Sequence, residues 1–267
     1  MTKALEDQVF QQLEERPRPA DDDIRFEPSP RRVRVMFAGM TIADSRKVML
    51  MLENRRLAIY YFPVNDVRTD LLVPTSYRCQ HAGKGEASFY DVKVGEKVAD
   101  TAAWRYLAPE RTDLRDYVAF YWMKMDAWFE EDDEVFVHPR DPYHRVDVLN
   151  SSRHVKVVVG GVVVAETDRP RLLFETGLPT RYYIPKLDVR LDLLTPTSSV
   201  TRCPYKGKAS YWSVNVNGKE FKDIVWGYPA PIPECPKIEN LLCFYDEKVD
   251  AVYVDGELQP KPVTPWS

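Results

Sequence analysis

Val155-Lys156-Val157-Val158-Val159-Gly160-Gly161-Val162-Val163-Val164-Ala165-Glu166 reads as two strands joined by a two-residue turn. Branched side chains lose freedom in a helix and pack well on a pleated strand. Glycine tolerates positive φ, and a tight hairpin between right-twisted strands needs positive φ at both turn positions, so Gly160-Gly161 closes the hairpin. The apolar run is far shorter than the ~20 residues that cross a bilayer as a helix. No membrane partner is expected.

Working outward, the hairpin belongs to a repeat. Gly39 falls on Gly161, Glu53 on Glu175, Tyr61 on Tyr183, Pro63 on Pro185, Asp66 on Asp188, Lys84 on Lys206, Gly85 on Gly207, Trp104 on Trp226 and Tyr106 on Tyr228, all at an offset of 122 residues. Later the offset becomes 124, where Phe120-Tyr121 meets Phe244-Tyr245. Solenoid repeats run about 20 to 50 residues, so a unit this long should own a core. The chain therefore reads as an extension over 1–30 and two tandem domains over 31–150 and 151–267. The extension is rich in acids, arginines and prolines and is expected to be loosely held, with one short helix around Leu5 to Leu13. Two copies in one chain predict an intramolecular pseudo-dimer. The aromatic run from Tyr117 to Trp128 is the strand or interface material expected where the copies pack.

Within a copy, Arg181 to Ile184, Ala209 to Val216 and Val249 to Val254 cluster aromatic and β-branched residues between Pro, Gly and Asn, and read as strands. Arg169 to Glu175 bunches its apolar residues at Leu172-Leu173-Phe174 and stops before Gly177, which suits one or two helical turns with a glycine cap. Prolines number 21, so long helices are scarce. The fold class is mainly β: two small antiparallel domains, each a compact barrel or bent sheet with few short helices.

Composition narrows the function. Over 267 residues, 44% are hydrophobic and 29% charged, as in a folded globular protein. With 37 basic and 41 acidic residues the net charge is -4, which lacks the electrostatic footprint of a nucleic-acid binder. The four cysteines, Cys79, Cys203, Cys235 and Cys243, form no CxxC pair and no dense disulfide pattern, so reduced thiols and a cytoplasmic location are expected. A metal site from Cys203, Cys235 and Cys243 would need three distant segments to converge. No metal and no cofactor is expected.

The second copy holds the candidate chemistry. Cys203 lies close to Arg202 and Lys206, whose positive charge would lower a thiol pKa, yet no partner histidine is evident and a free cysteine is often a small buried hydrophobe. Lys206-Gly207 is either a binding element, with a glycine that admits a ligand and an ammonium that meets it, or a plain β-turn. Asp188, after Tyr183-Ile184-Pro185, is placed to orient a tyrosine or Lys206, or to cap a turn. On a strand, residues four apart share a face, so Asp188 with Asp192, and Asp66 with Asp70, either share a cation or proton or are paired with Arg190 and Arg68. The catalytic candidates are Lys206, Asp188, Tyr183 and Cys203, and the ligand-binding candidates Arg202, Tyr205, Ser210, Trp226 and Tyr228. In the first copy, Cys79 to Gly85 is two residues longer than Cys203 to Gly207, an insertion that would change the site there.

Tyr182-Tyr183-Ile184-Pro185, Asp188-Val189, Thr201-Arg202-Cys203-Pro204-Tyr205-Lys206-Gly207-Lys208-Ala209-Ser210-Tyr211-Trp212, Trp226-Gly227-Tyr228-Pro229 and Phe244-Tyr245 together resemble the family known as domain of unknown function 427. The first copy is similar to it more loosely, over roughly 32–137. The resemblance implies a small β-rich domain like the tent-shaped sheets of Mss4-like proteins, and the family also carries a nucleotidyltransferase label. Such enzymes set carboxylates for Mg²⁺ behind a glycine turn, and no Asp-x-Asp or Asp-x-Glu follows Gly160-Gly161 at the matching distance. The leading expectation is a protein that binds a small organic molecule in its second repeat, with cofactor-independent acid–base chemistry if it is an enzyme. The alternatives are a non-catalytic interaction module using the 117–128 strip, and a nucleotidyltransferase.

Overall fold

The computed structural model describes residues 24–53 and 56–264, and the chain divides into two units that meet in sequence at Asp141 and Pro142. The first unit runs β1 (Arg25–Pro28), β2 (Val33–Phe37), β3 (Met40–Ser45), β4 (Met49–Leu52), β5 (Ile59–Pro63), β6 (Leu72–His81), β7 (Gly85–Val94), β8 (Lys97–Tyr106), β9 (Tyr117–Phe120), β10 (Ala127–Glu130) and β11 (Asp133–Val135). The second repeats it as β12 (Val146–Asn150), β13 (Val155–Val159), β14 (Val162–Thr167), β15 (Arg171–Glu175), β16 (Arg181–Ile184), β17 (Leu194–Cys203), β18 (Gly207–Val216), β19 (Lys219–Gly227), β20 (Leu242–Phe244), β21 (Ala251–Val254) and β22 (Glu257–Leu258). The helical elements among the described residues are three-residue 3₁₀ turns.

Each unit pairs a seven-stranded sheet with a four-stranded one, and every ladder is antiparallel. The orders are β1-β4-β5-β9-β8-β7-β6 with β11-β10-β2-β3, and β12-β15-β16-β20-β19-β18-β17 with β14-β13-β21-β22. The sheets stay open, so the chain folds as bent sheets and not as a closed barrel. Bulges curl them at matching places: Pro74/Arg78 and Pro196/Val200 in the edge pairings, Tyr90/Val92 and Trp212/Val214 in the next. Pro74 and Pro196 sit on the outermost strands, where a missing N–H breaks no ladder. Gly160 and Gly161 have φ of +57° and +76°, the primed turn expected from the sequence, and Ala38-Gly39 makes the same turn in the first unit.

Strand alternation gives the large sheet two different faces. Tyr60 and Phe62 pack with Val33, Val35 and Phe37 of the small sheet, whereas Tyr61 between them joins Phe89, Trp104 and Tyr106 on the opposite face. In the second unit Ile184 faces the small sheet and Tyr183 the far face.

Four expectations need correction. Arg169 to Glu175 is no helical turn: Arg171–Glu175 is strand β15, held between β12 and β16. A strand buried on both faces shows a continuous apolar run, which periodicity cannot tell from a short buried helix. The domain limits shift too, because β12 pairs with β15 and so belongs to the second unit, and β1, inside the expected extension, pairs with β4. The helix expected around Leu5 to Leu13 lies outside the described residues. The aromatic run Tyr117 to Trp128 becomes β9, a 3₁₀ turn at Trp122–Lys124 and part of β10, and its Phe120, Met125 and Trp128 fill the first unit's own core. Finally, no insertion separates the copies at the cysteines. β6 and β17 are each ten residues long and end at His81 and Cys203, each opposite the equivalent glycine. His81, not Cys79, is the counterpart of Cys203.

Candidate functional site

The far face of each large sheet carries a buried lysine–glutamate pair. In the second repeat, β15 ends at Glu175 and the β17–β18 hairpin turn presents Lys206, whose ammonium donates to Glu175 Oε2. In the first, Lys84 donates to Glu53 Oε1 from the same turn. The turns are locked by close backbone approach: a Cβ on Gly85 would stand 3.0 Å from Glu110 N, and one on Gly207 3.3 Å from Ile232 N.

Glu175 has a second partner. His144, just before β12, places Nε2 3.0 Å from Glu175 Oε1, and its ring stacks on Tyr205 at 4.2 Å. A carboxylate accepts only, so the imidazole presents its N–H through Nε2 and keeps the lone pair of its neutral form on Nδ1. Burial alone would push the Glu175 carboxyl up, but the His144 bond and the Lys206 charge outweigh it and hold the group below its usual range. Burial works against the Lys206 ammonium, yet the Glu175 carboxylate that accepts from it outweighs burial and raises it, so Lys206 stays charged. The ion pair is nearly closed to water, while the His144 side chain keeps 20% of its surface exposed and is the member that faces outward.

Aromatics wall this cluster. Trp226 Nε1 donates to Tyr183 OH at 3.2 Å, and Trp104 Nε1 to Tyr61 OH at 3.3 Å in the first repeat. Tyr183, Tyr228, Trp226, Tyr211 and Cys235 form one buried cluster. Arg181 lies over Trp226 with its guanidinium carbon 5.5 Å from the ring centroid. It forks onto Glu247, with Nη1 2.8 Å from Oε2, and has Asp246 at 3.7 Å.

The structure thus gathers Lys206, Cys203, Tyr183, Tyr205, Trp226 and Tyr228 and separates three other candidates from them. Asp188 closes a 3₁₀ turn and binds Thr167 Oγ1 at 2.7 Å and Arg169, so it orients neither a tyrosine nor Lys206. Asp192 sits in the next 3₁₀ turn, forked by Arg190, and Asp70 is held the same way by Arg68 while Asp66 accepts from Ser45, so both acidic pairs lie on turns and not on a strand. Arg202 is exposed, and Ser210 alternates with Ala209 and Tyr211 and points to the other side of the sheet. Of the two readings of Cys203, the buried thiol is the one that fits: burial pushes it up, more than Lys206 pulls it down, so it is not an activated thiolate.

Sequence reasoning missed Glu175, His144 and Arg181. Glu175 carried a signal, since it matched Glu53 in the repeat. His144 falls before the expected second domain at 151–267, away from that copy's motif. A separate shallow pocket of about 210 Å³, lined by Lys186, Leu191, Leu194, Trp212 and Leu242, involves none of the expected site residues. Among the described residues no group of three or more His, Cys, Asp or Glu is placed to hold a metal, and no helix is long and apolar enough to cross a membrane.

These features define a tandem β-sheet protein with a buried lysine–carboxylate pair on the far face of each large sheet. The chain belongs to the family described as Domain of unknown function (DUF427), whose model matches residues 25–131 and again residues 147–255. The family bears a nucleotidyltransferase-type label. No match was found among curated proteins.

Proposed function

We propose that the second repeat binds a small organic molecule beside His144 and moves a proton on it, without a cofactor. The observation that carries this reading is the Lys206–Glu175–His144 chain, in which one buried carboxylate takes both a buried ammonium and an outward-facing imidazole. Glu175 fixes the ring and its tautomer, so Nδ1 is the proton acceptor, and a carboxylate behind the ring steadies the imidazolium that forms. Lys206 balances the carboxylate charge, and the Tyr205 ring stacked on the imidazole supplies an apolar surface beside it. The site is neutral overall when His144 is neutral, which favours an uncharged ligand with a carbonyl or hydroxyl group. A cytoplasmic setting fits the four cysteines, all free thiols.

The test is the mass of the purified protein under native and then denaturing conditions. An added non-covalent mass on the wild type that His144→Gln loses is expected. A bare wild-type chain, or a mass the variant keeps undiminished, overturns the reading.

One observation favours an interaction module instead. Leu187 is 89% exposed and Leu191 48%, next to the shallow pocket. Leu187→Asp leaves the elution volume in gel filtration unchanged if this apolar edge has no partner in a second copy. The nucleotidyltransferase label draws no support from the acids, because Asp188 and Asp192 are each engaged by arginine. A flat thermal-shift response to ATP, GTP and CTP with Mg²⁺ is expected.

A further inference from the structure

The shallow pocket of the second repeat shares no lining residue with the His144 site. Lys186 and Leu191 reach it from the two 3₁₀ turns after β16, Lys186–Asp188 and Leu191–Leu193, and Leu194, Trp212 and Leu242 from β17, β18 and β20. Leu242 is buried in the core that β13 and β14 cover, and Leu194 and Trp212 pack partly buried against that core. Four of the five lining residues are thus apolar, and Lys186 is the charged one.

Lys186 is half-buried and, among the described residues, has no hydrogen bond and no ion pair. The acids nearest to it in sequence are already engaged. Asp188 accepts from Thr167 and Arg169, and Asp192 from Arg190. The first repeat builds the same two turns, Val64–Asp66 and Thr69–Leu71, with other side chains. At the offset of 122, Val64 stands for Lys186, Asn65 for Leu187, Thr69 for Leu191 and Tyr90 for Trp212. The frame therefore forms without the lysine or these leucines. Leu187 and Leu191 are nevertheless exposed, and apolar surface left in water adds nothing to folding.

We infer that this pocket binds a small organic monocarboxylate with an apolar body, whose carboxylate meets the Lys186 ammonium. A volume of about 210 Å³ is below the ~300–1,000 Å³ of sites for drug-sized ligands, so the body is a single ring or a short branched chain. Entry of that body takes the walls at Leu191, Leu194 and Trp212 out of water. Lysine is a compact point charge and offsets one negative charge. A phosphate monoester brings about −1.5 to −2 and would leave part of it uncompensated beside apolar walls. The site is independent of the proton-transfer reading at His144.

Isothermal titration of the full chain with benzoate, and separately with benzamide, tests it at low salt. Benzoate is expected to bind with a dissociation constant of about 1 mM or tighter, about fivefold more tightly than benzamide, which has the same ring and no charge. Lys186→Gln is expected to remove that preference and leave benzamide binding unchanged, while Lys186→Arg keeps the preference. Leu191→Asp is expected to weaken both ligands. No heat from benzoate on the wild type, or a preference for benzoate that Lys186→Gln keeps, overturns the proposal. So does a wild-type dimer that Leu187→Asp splits and that takes up no benzoate, a result that assigns the face to a second copy of the chain. The readout is a charge preference set by Lys186, separate from the retained mass tested with His144→Gln, so either reading can fail alone.

Discussion

At the far face of the large sheet the first repeat has Ile59, Phe89 and Ala119, and the second has Arg181, Tyr211 and Cys243 at the same ladder positions. The frame around them is the same: Glu53 and Glu175, Lys84 and Lys206, Tyr61 and Tyr183, Trp104 and Trp226 make equivalent contacts. A buried ion pair is costly to break, because the surviving partner is left charged in a low-dielectric interior, so the frame keeps both members. The rim residues are free to vary, and they set the chemistry. The second repeat surrounds its carboxylate with an imidazole, and the first with Arg56 and Arg111.

The most severe test of this comparison is to strand the carboxylates. Lys84→Met and Lys206→Met are each expected to cost about 3–5 kcal/mol in urea unfolding, since each removes the buried countercharge of a carboxylate that is itself closed to water. A cost below about 1 kcal/mol at one lysine would show that the two pairs are not equivalent. Next is Gly227→Ala. A Cβ there would lie 2.5 Å from the Leu241 carbonyl oxygen, inside a loop two residues longer than its counterpart, while the first repeat carries Arg105 at this position. The overlap is expected to cost about 1–3 kcal/mol by thermal unfolding, and a neutral Gly227→Ala would mean that the longer loop yields freely.

A smaller effect distinguishes the repeats by pH. Burial pushes Asp246 up to about 7 against the pull of Arg181, and the first repeat has Trp122 in its place. The folded state then holds a proton that the unfolded chain releases from its ordinary value of 3.8, so stability falls as pH rises between the two. Relative to Asp246→Asn, the wild type should lose on the order of 2 kcal/mol between pH 5 and pH 8. Parallel pH profiles for the two proteins would remove Asp246 as the cause. The smallest change is Tyr211→Phe, which copies Phe89 and removes the 2.8 Å bond to Thr201. A cost of about 0.5–1.5 kcal/mol is expected, and a larger loss would mean that the hydroxyl holds more than Thr201.

The repeat, the β class and the family were legible because their signals are local or recur. Gly160-Gly161 names its turn from two residues, and matched residues at one offset need no knowledge of the fold. The burial of Lys206 was not legible. Neither was the engagement of Asp188 by Arg169, since a turn aspartate has several neighbours within reach. The helical reading of Leu172-Leu173-Phe174 failed for a related reason: what tells a doubly buried strand from a helix is the pair of strands beside it, and these come from elsewhere in the chain.

By itself, then, the sequence determined two tandem antiparallel domains, the glycine-turn hairpin of the second and the aromatic and lysine positions they share. Those follow from backbone preferences and alternation, which act over a few residues. Only the tertiary structure decided which groups meet. Lys206 and His144 each lie 31 residues from Glu175, on opposite sides of it in sequence. Sheet order brings β12 beside β15, and the turn after β17 carries Lys206 to the end of the same strand. Once all three are there, exclusion of water makes their charges strong enough to matter, and that exclusion is a property of the packed sheet.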